Sequence, residues 1–178
     1  MKKTILTSLI VSTIFFGCSK ETKPTDVIIN TEINMESRPL NFESTRVENN
    51  AHSGKYYSST DSIKQFGIGY SYVLPDSLKG RKLTVYFTTW IRESELPLDG
   101  SLLLSLNTSK GNVGWNAFGD KYRPTYKAGE WVQLNDSITY PANLIVGDYV
   151  ELGIVGMKTN GKDAFDVDDL NVKYRFSK

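Results

Sequence analysis

The sequence has 178 residues, with 21 basic and 20 acidic side chains, one histidine, one cysteine and a formal net charge of +1. Such an even balance provides no positive field for gathering phosphate backbones, so nucleic acid is excluded as an expected partner. A single cysteine allows no disulfide within the chain. The sequence also lacks a Gly-x-Ser-x-Gly elbow and a phosphate-binding loop, so it offers little for catalysis.

Residues 1–17 are typical of a signal peptide. Two lysines near the start precede the uncharged apolar stretch 5–16, which is shorter than the roughly 20 residues that a membrane-spanning helix needs. The stretch ends in Gly17-Cys18, which resembles the lipobox of bacterial lipoproteins, where the cysteine is acylated and becomes the new N-terminus. We therefore expect a lipid on Cys18, the alternative being an ordinary secretory peptide with a chance cysteine.

Residues 18–39 are predicted to form a flexible tether after the acylated cysteine. The segment is polar, contains Pro24 and Pro39, and has room for at most one short strand at 27–29. Its start, Ser19-Lys20-Glu21, resembles the short charged export signals of surface lipoproteins in the Bacteroidetes group. The expected location is the cell envelope, as an outer-membrane lipoprotein that is surface-exposed or periplasmic and meets the membrane through its N-terminal lipid.

Residues 40–178 are predicted to be one all-β domain, a single sandwich of eight or nine antiparallel strands. The clearest strand is 82–92, where Leu83, Val85 and Phe87 alternate with polar and aromatic residues at a period of two. Two facing sheets bury such alternating apolar positions without helices. The other predicted strands are 55–59, 65–74, 101–106, 112–118, 131–139, 149–157 and 165–176.

A succession of short motifs resembles the carbohydrate-binding modules of the galactose-binding-like jelly-roll group. The motifs are Asn41-Phe42-Glu43, Ala51-His52-Ser53-Gly54-Lys55-Tyr56, the run 78–85 leading into Trp90, Gly129-Glu130-Trp131 and the run 165–172. The resemblance covers about 41–176. It implies a jelly roll, a structural calcium ion and, in many members, a glycan groove on the concave sheet.

The resemblance also implies the calcium ligands, which would be Glu43, Ser53, Lys55 and either Asp168 or Asp169. Calcium takes six to eight oxygen ligands, and carboxylates and carbonyls from separate loops supply them. Strand parity places Asp168 on the inner side together with Leu170 and the alternate residues after it, which favours Asp168. The alternative is that both aspartates belong to a solvated turn.

Sugars bind flat aromatic rings flanked by polar side chains, so the outward aromatic residues are the candidate ligand contacts. Tyr86, Trp90 and Arg92 share the non-aliphatic side of the 82–92 strand, and Trp115 is a second candidate platform. Tyr70 and Tyr72 are two positions apart on one strand, so they share a face and extend the row of outward aromatic residues. Trp131 is assigned to the core. The alternative for each ring is a role in covering the sheet.

The sequence therefore predicts a non-catalytic, lipid-anchored, carbohydrate-binding protein of the cell envelope, with a polysaccharide or oligosaccharide as its partner. The alternative is a structural or adhesive lipoprotein domain that has the same jelly roll and meets other cell-surface proteins. A glycoside-active enzyme is the least favoured hypothesis. Its candidate carboxylates, Glu93 and Glu95, are expected to lie in an exposed turn.

Overall fold

Ten β-strands make up most of the chain that the computed structural model describes, which is residues 26–33, 35–37, 46–94, 100–118, 126–158 and 164–178. They are β1 (Val27–Ile33), β2 (Arg46–Glu48), β3 (Tyr56–Thr60), β4 (Phe66–Val73), β5 (Lys82–Glu93), β6 (Gly100–Thr108), β7 (Gly111–Phe118), β8 (Val132–Tyr140), β9 (Val150–Lys158) and β10 (Phe165–Ser177). Short 3-10 turns occupy Met35–Ser37, Asp76–Leu78 and Ala142–Leu144. Within these ranges, no helix has the length and apolar character needed to cross a membrane.

The strands form two antiparallel sheets that pack against each other as a sandwich. The six-stranded sheet has the order β2-β3-β10-β5-β8, and β1 pairs with β10 on the same edge as β3. The four-stranded sheet has the order β4-β9-β6-β7. The predicted all-β jelly-roll sandwich is confirmed, with β2 as a strand beyond those expected and β1 as a longer form of the short strand allowed at 27–29.

The core lies between the inner faces of the two sheets, as the alternation along β5 predicts. Leu83 and Val85 are fully buried, whereas Tyr86 between Val85 and Phe87 is 37% exposed on the outer face. Leu104 and Leu152 meet them from the four-stranded sheet and are also fully buried. Each such leucine stabilises the fold by roughly 1.5–3 kcal/mol relative to an exposed one.

The predicted tether contains a strand at 27–29, as the sequence allowed, but this strand extends to residue 33. This segment forms β1, which pairs with β10 over seven residues, from Val27 opposite Phe176 to Ile33 opposite Leu170. Its alternate residues turn toward the core, and Ile33 is 7% exposed. The apolar residues 27–29 indicate only the start of this strand, and the pairing with β10 is what extends it to residue 33.

Tyr70 and Tyr72 do not extend a row of outward aromatic residues. Their partners across the sheet are Ile154 and Leu152, which face the core, and opposite residues of an antiparallel pair share a face. The ring of Tyr72 stacks on the fully buried ring of Tyr174 at 5.5 Å between centroids. Both tyrosines are therefore core residues.

Gly100 lies where β6 passes directly against the ring of Phe165. A Cβ added at this position would overlap the ring, which is itself 1% exposed and has no room to move. We therefore expect Gly100→Ala to destabilise the domain by about 1–3 kcal/mol through overpacking. Gly114→Ala is the matched control, because the nearest atoms to its added Cβ lie at 3.9 Å. Thermal melts of both variants test this, and equal melting temperatures would contradict it.

Candidate functional site

The chain from Asn49 to Lys55 forms a turn that folds over one end of the six-stranded sheet. Asn49 and Asn50 begin it in the left-handed conformation, with φ of 72° and 60°, which asparagine tolerates better than most residues. A hydrogen bond of 3.0 Å from the Asn49 N–H to the Lys55 carbonyl closes it. We call residues 50–55 the capping turn.

Asp168 holds the capping turn against β10. Its Oδ2 accepts hydrogen bonds from the N–H groups of His52 and Ser53, at 3.0 and 3.1 Å, and its Oδ1 accepts one from Asp169 N–H at 2.9 Å. The residue is 2% exposed. Burial raises the pKa of its carboxyl, and the N–H group of Ser53 opposes that effect.

The parity argument for Asp168 is wrong, although the residue is buried. Asp168 lies opposite Trp90 on the outer face of the sheet, and the capping turn is what covers it. The register of β10 shifts between Asp168 and Asn171, where Asp169 has a φ of 50°. This irregularity breaks the strict alternation that the argument assumed.

Asp169 binds the same turn through side chains. Its Oδ1 accepts a hydrogen bond of 2.7 Å from Ser53 Oγ, and its Oδ2 lies 3.0 Å from His52 Nδ1. The structure thus brings together Ser53, Asp168 and Asp169, three of the predicted calcium ligands.

The other two predicted ligands contribute differently. Lys55 donates its backbone N–H to Glu36 Oε1 at 2.7 Å, and its ammonium group pairs with Glu48 at 2.6 Å. Glu43 lies outside the described residues. Glu36 also accepts the N–H of Tyr56 at 2.7 Å, a role that sequence reasoning missed because Glu36 lies in the segment assigned to the tether.

The described contacts of the two aspartates fit a hydrogen-bonded turn better than a calcium site. Their carboxylates accept hydrogen bonds from N–H and O–H groups of the protein, which hold the turn without an ion. The ligand-type atoms of His52, Asp168 and Asp169 do lie within 4.8 Å of one another, but one of them is a nitrogen and calcium takes oxygen ligands. Calcium binding stays a prediction that these contacts do not support.

A chelator tests the predicted calcium ion. If hydrogen bonds alone hold the capping turn, the melting temperature is the same in excess EDTA and in millimolar calcium. Differential scanning calorimetry measures this directly. A fall of several degrees in EDTA that added calcium reverses would show that an ion binds, with ligands beyond the described residues.

Trp90 faces outward as predicted, but its ring is covered from one side. The imidazole of His52 stacks on it at 3.8 Å between centroids and 13° between planes. Trp131 meets His52 edge-on at 6.2 Å, and its Nε1 donates a hydrogen bond of 3.2 Å to the Asn50 carbonyl. These rings secure the capping turn.

Arg92 is held in the same cluster by two further contacts. Its Nε donates a hydrogen bond of 2.8 Å to Asp166 Oδ2, and its Nη1 donates one of 3.0 Å to the Asn50 carbonyl. The guanidinium carbon also lies 4.4 Å from the centroid of the Trp131 ring. Because its donors are taken up within the protein, Arg92 is better placed to fix the turn than to bind a ligand.

The four predicted ligand residues do not form one site. Tyr86 lies on the outer face of the six-stranded sheet, four positions along β5 from Trp90 and away from the capping turn. Trp115 lies on β7, on the outer face of the opposite sheet, where it is 59% exposed. Trp115 is thus the predicted platform with the most open ring.

A row of small residues runs across the four-stranded sheet from Trp115. Trp115 pairs with Ser105, Ser105 with Gly153, and Gly153 with Ser71, so all four share the outer face. We call these four residues the Trp115 trough. Any side chain at Gly153 would begin 2.7 Å from Ser105 Oγ, so the glycine keeps the floor of the trough low.

The rows on either side of the trough differ in polarity. One contains Asn107 and Glu151, which pair across β6 and β9. Asn107 accepts a hydrogen bond of 2.8 Å from Asn112, and a hydrogen bond to Glu151 raises the pKa of the Tyr149 hydroxyl. The other row contains apolar side chains, Leu103 and Val155 among them. The face thus offers hydrogen-bonding groups beside one edge of the trough and apolar surface beside the other.

Glu93 is not in an exposed turn, which corrects the expectation for the candidate carboxylates. It is 3% exposed at the end of β5, lies 3.8 Å from the buried Lys158 ammonium group and accepts a hydrogen bond of 3.3 Å from Gly100 N–H. Glu95 lies outside the described residues. A carboxylate that is buried and paired in this way is placed for structure and not for attack on a glycan.

No protein-family model and no curated protein match the chain. Among solved structures, the CBM22-2 xylan-binding domain from Paenibacillus barcinonensis Xyn10C is 15% identical, with a TM-score of 0.51 over 80% of this chain and 97% of that one. The infectious bursal disease virus Gx strain gives 12% identity and a TM-score of 0.50 over 86% of this chain. The VP2 subviral particle of that virus is 11% identical, with a TM-score of 0.48 over 99% of this chain. The chain spans only 32% and 37% of the two viral chains. Such likeness shows a shared fold alone.

Proposed function

We propose that this domain is a non-catalytic carbohydrate-binding module that holds a glycan in the Trp115 trough. The observation on which the proposal rests is the tryptophan ring, 59% exposed, at the wall of a row of three small residues. An open indole ring on an outer sheet face gives a ligand a flat apolar surface to lie against.

The chemistry of the trough suits a sugar ring. A pyranose presents apolar C–H groups on its face and hydroxyl groups around its edge, so it needs an aromatic surface and polar groups at its rim. Trp115 supplies the surface, and Asn107 and Glu151 supply amide and carboxylate groups along one side. The low floor at Gly153 allows the ligand to lie close to the sheet.

The similarity in fold to a xylan-binding domain supports the general class of ligand. It does not identify the sugar, so xylan is a reasonable first ligand among several. In this proposal the domain has no catalytic carboxylates of its own, in keeping with the buried and paired Glu93.

Affinity gel electrophoresis tests the proposal. The domain, residues 26–178, is run through gels containing xylan, mixed-linkage β-glucan, galactomannan, pectin or a bacterial exopolysaccharide. We expect at least one polysaccharide to retard it relative to serum albumin. Mobility unchanged in every gel would overturn the proposal, and capture of a cell-surface protein by the same domain would then favour the structural or adhesive function.

We further propose that Cys18 is acylated and holds the domain at the cell envelope, on the outer membrane. Because β1 begins at Val27, the linker from Cys18 has eight residues and spans at most about 28 Å when fully extended. The domain would therefore stand close to the membrane surface, closer than a tether reaching to residue 39 allows.

Expression of the full chain in a Gram-negative host with radiolabelled palmitate tests the anchor. The label should appear on the wild-type protein, which should sediment with the membranes, because acyl chains bury about 0.8 kcal/mol per methylene in the bilayer. Cys18→Ser should lose both the label and the sedimentation. A wild-type chain that is secreted without label would refute acylation.

A further inference from the structure

A concave surface lies on the outer face of the six-stranded sheet, on the opposite side of the sandwich from Trp115. It is a groove of about 510 Å³ that crosses the middle of three adjacent strands, β1, β10 and β5. The outward side chains along it are Asn30, Glu32, Tyr86, Thr88, Asn171 and Lys173. We call these six residues the Tyr86 groove.

The groove contains an exposed aromatic ring between polar side chains. Tyr86 is 37% exposed, and its cross-strand partner Lys173 places its ammonium group 5.9 Å from the centroid of the tyrosine ring. Beyond them, Thr88 lies opposite Asn171. The ring is thus presented at the surface, with donors and acceptors on both sides of it.

Two opposite charges in the groove balance each other without forming an ion pair. Glu32 lies opposite Asn171, and Lys173 lies opposite Asn30 on the same two strands, so the charges are diagonal neighbours. Diagonal positions of an antiparallel pair are about 7–8 Å apart. Within the described residues, neither Glu32 nor Lys173 has an oppositely charged partner within 4.0 Å, so both can bind hydroxyl groups of a ligand.

The charge balance and the position on a sheet face indicate the class of ligand. A polyanion would meet the Glu32 carboxylate, and a polycation would meet the Lys173 ammonium group. An extended peptide would recognise open main-chain groups at a strand edge, whereas the groove lies on the sheet face, and β10 and β5 beneath it are paired on both sides. A neutral, hydroxyl-rich chain satisfies the acceptor, the donor and the ring together.

We infer that the Tyr86 groove is a second binding site for a neutral oligosaccharide, so that one domain binds two glycan segments on opposite faces. The inference deepens the proposed function and rests on it. The two sheets pack about 10 Å apart with the core between them, so a ligand in one site does not touch the other. A domain with two such sites links neighbouring glycan chains.

Isothermal titration calorimetry with xylohexaose, cellohexaose and mannohexaose tests the inference on four proteins: the wild-type domain, Tyr86→Ala, Trp115→Ala and the double variant. We expect two equivalents of at least one hexasaccharide on the wild type, one on each single variant and none on the double variant. Glu32→Ala should remove the same equivalent as Tyr86→Ala. Thr84→Ala, an outward residue of β5 that bonds to Thr139 outside the groove, is the matched control and should keep both.

The outcomes separate the two sites. One wild-type equivalent that Trp115→Ala removes and Tyr86→Ala leaves intact would overturn the second site and keep the proposed function. If the wild type binds one equivalent and only Tyr86→Ala and Glu32→Ala remove it, the Tyr86 groove is supported as a glycan site and the Trp115 trough is overturned. A wild type that binds none of the three sugars and is retarded in none of the polysaccharide gels overturns both. Circular dichroism of each variant confirms that it is folded before its binding is compared.

Discussion

Replacement of Trp115 by alanine should weaken glycan binding at the trough by about 2 kcal/mol or more, which is roughly thirty-fold in Kd, with no change in melting temperature. The ring is 59% exposed on β7, so its removal leaves no cavity in the core. The loss in affinity follows because the ring is the principal apolar surface against which a sugar would lie in the trough. Phenylalanine at this position should restore part of the affinity, because it keeps a flat ring.

The control for this experiment is Ile63→Ala. Ile63 is 89% exposed and lies in the loop between β3 and β4, so its removal deletes an exposed apolar side chain away from the trough. Retardation in a polysaccharide gel and calorimetric affinity measure both variants. Equal binding by Trp115→Ala and the wild type would contradict the assignment of the trough as the glycan site.

Asp168→Ala should destabilise the domain by about 3 kcal/mol or more. Three N–H groups, those of His52, Ser53 and Asp169, lose their acceptor, and a hydrogen bond to a charged group contributes about 1.5–3 kcal/mol. For a domain of this size, that loss corresponds to a fall of roughly 6–12 °C in melting temperature.

The matched control is Asp169→Asn at the neighbouring position. Asparagine keeps an oxygen for one of the two side-chain contacts and tolerates the left-handed backbone that Asp169 adopts. Its melting temperature should therefore stay within a few degrees of the wild type. If Asp168→Ala has the same melting temperature as the wild type, Asp168 does not hold the capping turn. Trp90 and Arg92 would then be available to bind a ligand.

The alternation of residues along β5 is enough to predict the sandwich and the direction of each of its side chains. Leu83, Val85 and Phe87 face the core and Tyr86, Trp90 and Arg92 face outward, as a period of two requires. The same rule fails at Asp168, because a register shift in β10 interrupts the alternation. Irregularities of this kind depend on how the strands pair, and the two-residue alternation of a single strand does not predict them.

The nature of each outward surface could not be predicted in the same way. Parity states which side of a sheet a ring occupies, but not what packs over it. The side chain that covers Trp90 is His52, from a turn fixed by Asp168, 116 residues further along the chain. Contacts so distant in sequence leave no local signal. The small residues opposite Trp115 are likewise recognised as a row only once the order of strands is known.

β1 shows the same dependence on long-range pairing. Its seven residues lie in an otherwise polar segment, yet they complete the six-stranded sheet beside the last strand of the chain. Asn30 and Glu32 thereby become the wall of the Tyr86 groove. A domain boundary placed at residue 40 on composition leaves β1, and with it one wall of the Tyr86 groove, outside the domain.

The most direct test of the glycan site is a nuclear magnetic resonance titration of the isotopically labelled domain with the sugar that retards it in gels. We expect large chemical-shift changes at the Trp115 indole N–H and at the backbone amides of Ser105 and Gly153, whether or not further changes occur around Tyr86. The indole N–H signals of Trp90 and Trp131 should not shift. Saturable changes that spare Trp115, Ser105 and Gly153 would contradict this expectation.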